Sequence, residues 1–112
     1  MTKKIRSIIP GDSKYKCFFC NRYFNDYFKG EAHHIFGGAN RPLSDEDGLV
    51  IHLCYECHRG EKGIHGRDGL PIKVKAQRIG QQEWEDNRMK LFDLTREEAT
   101  KQFILRYGKS YQ

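Results

Sequence analysis

All four cysteines and all five histidines fall between Cys17 and His65. "CFFC" (Cys17, Cys20) and "CYEC" (Cys54, Cys57) are two C-x2-C pairs. Each such turn brings two sulfurs within reach of one ion, and two turns close the tetrahedron of a structural Zn²⁺ site. The bland alternative is four unligated core thiols. A redox pair is disfavoured, because no βαβ context surrounds either motif. The stretch between Cys20 and Cys54 is long for a compact ribbon, so a whole hairpin is expected to loop out between the knuckles.

That hairpin carries "EAHHIFGGANRP", with His33 and His34 adjacent. Neighbouring strand residues point to opposite faces, so one imidazole can face a metal while the other faces something else. His58 directly follows the second knuckle and His65 comes soon after. Gly60 and Gly63 argue against a continuous helix between those two, so His65 is expected to arrive from a loop. Without the knuckles, His33 would read as a surface residue and His34 as a core histidine. His52 sits just before the second knuckle, and its expected role is structural.

Three kinds of element must position these groups. "EAHHIF" and "LVIHLC" are the best strand candidates. "GGANRPLSDEDG" between them is rich in turn formers and predicts a loop. Its acidic part would repel a nucleic-acid backbone and is expected to face away, with too few spaced oxygens for a calcium loop. Pro71 to Lys90 reads as a helix with a weak apolar stripe: Ile72, Ala76 and Ile79 share a face, Trp84 does not continue it, and Gly80 weakens it. In "LTREEATKQFILRYGK", Thr95 and Glu98 form a capping box, and Leu94 and Ala99 stand as a hydrophobic staple. Ala99, Phe103 and Tyr107 repeat every four residues, and Gly108 stops the helix.

The chain of 112 residues, with a mean hydropathy of −0.81, describes one small domain with a thin core. It divides into a basic arm (1–16), a zinc-bound core (17–69) and a helical extension packed on it (70–112). No segment has the ~20 apolar residues of a membrane helix. The opening residues have no secretion-signal pattern, so a reducing, cytoplasmic setting is expected, where thiols serve metals more than disulfides. The net charge of +5 is concentrated in the arm, where Lys3, Lys4, Arg6, Lys14 and Lys16 face only Asp12. That surplus fits sequence-independent phosphate contacts, although a basic surface alone is weak evidence for a nucleic-acid partner.

The order of knuckle, His-His strand, loop, strand and "CYECH" with a further His resembles the HNH nucleases. These are the zinc-stapled branch of the ββα-metal endonucleases. The resemblance covers about residues 17–65 and rests on "HHI", "LVIHLC" and the "CYECH" run. It implies an α+β fold, a treble-clef or ββα-metal core with a C-terminal helical extension. It further implies that His33, His58 and His65 hold a catalytic Mg²⁺, Mn²⁺ or other divalent ion, beside Zn²⁺ on Cys17, Cys20, Cys54 and Cys57. His34 would be the general base, since a neutral imidazole titrates close to working pH. Arg41, Arg59, Lys62 and Arg67 are the candidate phosphate contacts. Compact proteins of this type are frequent in bacteriophage and prophage genes, which implies a bacterial host cell and DNA-metabolism proteins as further candidate partners.

One departure concerns the family's middle asparagine. Gly48 or Leu49 occupies its position, Asn40 lies too early in sequence, and a backbone carbonyl is the expected substitute for orienting His34. The expected function is therefore metal-dependent cleavage or nicking of DNA. The alternative is a zinc-dependent nucleic-acid-binding module, or an adaptor docking through its C-terminal helices, that has lost catalysis.

Overall fold

The computed structural model describes residues 7–112; Lys3, Lys4 and Arg6 of the basic arm lie outside the described residues. The chain is α+β. Strand β1 (Glu31–His34) pairs antiparallel with β2 (Val50–Leu53), with His33 opposite Ile51 and His34 opposite Val50. Both strands are shorter than the sequence runs suggest. Ile35 and Phe36 leave the ladder to enter the core.

The connection between the strands is not the loop expected. It holds a 3-10 turn at Gly38–Asn40 and a short helix, α1 (Arg41–Glu46). Its turn formers act as helix starters: Pro42 sits in the first turn, where a missing N–H costs nothing. Ser44 is buried; its hydroxyl donates to the Leu49 carbonyl at 2.7 Å and accepts from the Phe36 amide at 3.2 Å. One small hydroxyl thus ties α1 to both strand ends.

Helix α2 (Tyr55–Arg59) follows β2 directly and completes a ββα arrangement. Beyond it the chain coils tightly back, with the His65 amide donating to the His58 carbonyl at 2.9 Å. Only glycine permits this coil: a Cβ at Gly66 would stand 1.9 Å from the Gly60 carbonyl oxygen. His65 accordingly arrives from a loop, as its neighbouring glycines predict.

Helices α3 (Leu70–Phe92) and α4 (Arg96–Tyr107) form an antiparallel pair across the hairpin. The α4 capping box of Thr95 and Glu98 is present, and Gly108 ends the helix with a left-handed φ of 94°. Ala99, Phe103 and Tyr107 are its buried face. For α3 the buried set is Ala76, Gly80, Gln81, Trp84 and Glu85, so Trp84 does belong to the stripe, contrary to expectation. The stripe is hidden in sequence because polar groups occupy part of it. Gln81 donates to Glu85 and receives the Tyr111 amide, while Glu85 accepts from Arg96. Gly80 lets α3 approach the hairpin: a Cβ there would meet Ile35 Cγ2 at 2.9 Å.

From Ser7 onward the segment read as an arm lies against β2. The Ser7 hydroxyl donates to the Val50 carbonyl, the Ile8 amide donates to Gly48, and Ile9 is buried in the core. Asp12 accepts from the His52 amide at 2.7 Å and pairs with its Nδ1 at 2.8 Å. His52 is thereby a structural residue, as its place before the knuckle suggests.

Candidate metal centres and active site

The hairpin brings the two knuckles together. The Sγ atoms of Cys17, Cys20, Cys54 and Cys57 all lie within 4.8 Å of one another, and the four are free thiols. Cys20 Sγ and Cys54 Sγ are 3.6 Å apart, close to the ~3.8 Å edge of a tetrahedron with ~2.3 Å Zn–S bonds. Burial raises the Cys17 thiol, but backbone donation from Cys20, Cys54 and Phe19 outweighs it and brings the pKa down to about 7. Burial and the neighbouring sulfurs push Cys57 up. Crowding of this kind, with one thiol already disposed to ionise, is what a divalent cation relieves. The donor set fits structural Zn²⁺.

A second cluster shares α2 with the first, through His58 next to Cys57. Ligand atoms of His33 (β1), His58 (α2) and His65 (the glycine coil) also fall within 4.8 Å of one another. Their ring centroids are 4.8–5.2 Å apart. Burial and then the neighbouring His58 hold His33 down to a pKa of about 3, and the same causes lower His65. Imidazoles kept neutral are ready to ligate. His58 Nδ1 meets Glu31 Oε1 at 2.9 Å. Protonated there, the ring donates to the carboxylate and leaves Nε2 for a metal. The three-histidine cluster can hold a metal ion.

No family model, curated protein or solved structure matches the chain.

His33, His58 and His65 line a cavity of about 570 Å³, which His34 lines as well. Its other polar walls are Arg41, Arg59, Lys73, Gln77 and Tyr111. Three cations and no carboxylate among the described residues line it; Glu31 pairs with Arg59 behind the wall, which leaves Arg41 and Lys73 as the main attraction for an anion. Of the expected phosphate contacts, Arg41 and Arg59 are at this cleft. Lys62 and Arg67 do not line it, and Arg67 pairs with Glu61 and Asp68.

The orientation of His34 differs from expectation. Its Nε2 meets Asp45 Oδ1 at 3.1 Å, so a side-chain carboxylate from α1 holds the ring, not a backbone carbonyl. The acidic run therefore does not wholly face away from the site. Asn40 is no substitute either: its amide donates to the Tyr107 carbonyl at 3.0 Å, which turns it toward α4.

Five contributors were missed in sequence: Glu31, Asp45, Lys73, Gln77 and Tyr111. Glu31 had a signal, since it lies two residues before His33 on the same strand face. Asp45, Lys73 and Gln77 reach the site through helix placement and Tyr111 through the C-terminal tail, which no local pattern encodes.

Proposed function

We propose that the chain is a metal-dependent endonuclease of the HNH type that cleaves or nicks DNA phosphodiesters. The supporting observation is the single cleft shared by three clustered imidazoles, a fourth imidazole held by a carboxylate, and three cations. Zinc on the four cysteines is structural in this reading, and the phage setting rests on the sequence resemblance alone.

Each residue then has a task. Arg41, Arg59 and Lys73 draw the phosphate into the cleft and offset its charge. His34, donating from Nε2 to Asp45, keeps Nδ1 free to take a proton from the attacking water. Glu31 engages His58 at Nδ1 and leaves Nε2 as the nitrogen available to a metal. A divalent ion bound there supplies Lewis-acid stabilisation of charge on the phosphate and the departing oxygen. Three nitrogen donors suit Zn²⁺ and its transition-metal neighbours better than Mg²⁺, which prefers oxygen.

The test is plasmid nicking by wild type and His34→Ala, with Zn²⁺, Ni²⁺, Mn²⁺ or Mg²⁺ added singly. Nicking by wild type alone, from two folded proteins that each keep their cysteine-bound zinc, supports the reading and assigns the base. If neither cuts with any ion, the second reading takes over: a zinc-dependent nucleic-acid-binding module. The unmatched asparagine of the HNH pattern is what favours that alternative.

A further inference from the structure

The segment between the first knuckle and β1 presents an arrangement that neither metal centre uses. Phe18, Phe19 and Phe24 turn inward and pack against the core. Tyr15, Tyr23, Tyr27 and Phe28 turn outward, with 65%, 71%, 92% and 54% of their surface exposed. Rings left in water forgo the burial that stabilises small cores, and a group of them marks a binding surface more often than a chance exposure.

The same segment carries Lys14, Lys16, Arg22 and Lys29 against the single Asp26. Two of these cations stand beside outward rings: Lys14 Nζ is 5.3 Å from the Tyr15 centroid, and the Arg22 guanidinium is 5.0 Å from that of Phe28. The tip is also preorganised. Asn25 Oδ1 accepts from the amides of Tyr27 at 2.8 Å and Phe28 at 2.9 Å, and the Asn25 amide donates to the Phe28 carbonyl. Such a turn presents its two rings without first having to order itself.

We infer that residues 14–29 form a platform for single-stranded polynucleotide, with unpaired bases stacked on Tyr27, Phe28 and Tyr23 and phosphates held by the adjoining cations. Charge selects a polyanion, and exposed flat rings select unstacked bases over a duplex, whose bases are already stacked. Aromatic and arginine side chains also serve protein interfaces; the surplus of cations over the single Asp26 is what favours a polyanion here. The platform runs into β1, where Glu31 follows Phe28 by three residues and holds His58. Binding at this platform does not rest on the nuclease reading.

The experiment is fluorescence anisotropy of full-length protein that carries only its cysteine-bound zinc, with the three-histidine cluster kept free of any ion, so that nothing is cut. Probes are labelled oligothymidylate and oligouridylate of about 15 nucleotides, near the site sizes of such platforms, and a DNA duplex of equal length. Wild type should bind one or both single strands more tightly than the duplex. Tyr27→Ala should weaken single-strand binding by about fivefold or more, while Tyr27→Phe, which keeps the ring, should not. Zinc content and melting temperature report folding, and Tyr27 is exposed enough to leave both unchanged. Equal affinity for duplex and single strands, or unchanged single-strand affinity in Tyr27→Ala, overturns the inference. Failure to nick plasmid with intact single-strand binding would sink the nuclease reading alone.

Discussion

Glu31 Oε1 lies 2.9 Å from His58 Nδ1 and 3.3 Å from Arg59 Nε. One carboxylate at the start of β1 thus fixes the tautomer of a buried imidazole and anchors a cation at the cleft. The hydrogen bond from His58 is also the main reason why the Glu31 pKa is lowered. Glu31→Ala should weaken ion binding at the three-histidine cluster by about 10–100-fold, the usual cost of losing a carboxylate behind a metal-binding imidazole. Titration of Zn²⁺ into protein that already carries its cysteine-bound ion measures this. Unchanged affinity would show that His58 does not need Glu31, or does not bind metal.

Asp45 has the same relation to His34 that Glu31 has to His58. In the proposed nuclease it is a positioning residue, acting on substrate only through the imidazole. Asp45→Ala should lower kcat by about 10–100-fold, less than removal of a general base itself. KM and metal content should stay the same. Asp45→Asn retains an oxygen that can accept from Nε2 and should recover part of the loss. A change confined to KM would place Asp45 in substrate binding instead.

The contrast between these two carboxylates shows what local sequence can reveal. Cysteine spacing, paired strands and the α4 capping box depend on residues close in the chain, and their geometry follows from short-range rules. The grouping of His33, His58 and His65 rested on the resemblance to the HNH pattern and not on a short-range rule, since His65 stands eight residues beyond Cys57. Asp45 was not legible, because its role depends on a helix turning "SDED" back onto β1. The buried stripe of α3 was obscured by Gln81 and Glu85, which bury polar atoms only because Arg96, Ser110 and Tyr111 meet them. Lys73 and Tyr111 reach the cleft only after α3 and the C-terminal tail have docked.

The histidine cluster should also leave a mark on stability. In the folded chain the His33 pKa is held down to about 3, against 6.5 for an unperturbed histidine. Between those values the unfolded chain takes up a proton that the folded chain refuses. Stability is therefore undiminished above about pH 6.5 and declines as pH falls toward the folded pKa. With the cysteine site loaded and no ion in the imidazole site, melting temperature should fall more steeply for wild type than for His33→Gln between neutral pH and about pH 5.5. Parallel curves would show that His33 protonates without loss of structure.

Cys54 tests the other centre. It is 3% exposed and shares the crowded sulfur cluster. A structural zinc supplies much of the folding free energy of a small domain. Cys54→Ser should abolish stoichiometric zinc binding and remove the cooperative melting transition, as should prolonged treatment of wild type with a strong chelator. A variant with wild-type circular dichroism and melting temperature would count against a structural zinc.

Asp47 joins the C-terminal helices to the site. Its carboxylate accepts from Trp84 Nε1 at 2.9 Å, Tyr107 Oη at 2.7 Å, and Arg106 Nε and Nη2 at 2.6 and 2.8 Å. It caps the C-terminus of α1 two residues after Asp45, so the same contacts that dock α3 and α4 also hold the helix that orients His34. Asp47→Ala strands a largely covered guanidinium and two further donors, which should cost about 3 kcal/mol and lower Tm by on the order of 10 °C. If the helices act through this carboxylate, Asp47→Ala and Arg106→Ala should be strongly non-additive in a double-mutant cycle. The single Asp47 variant should also lose nicking activity at temperatures where it is still folded. Full activity below its melting transition would confine Asp47 to stability and leave α1 positioned by Ser44 alone.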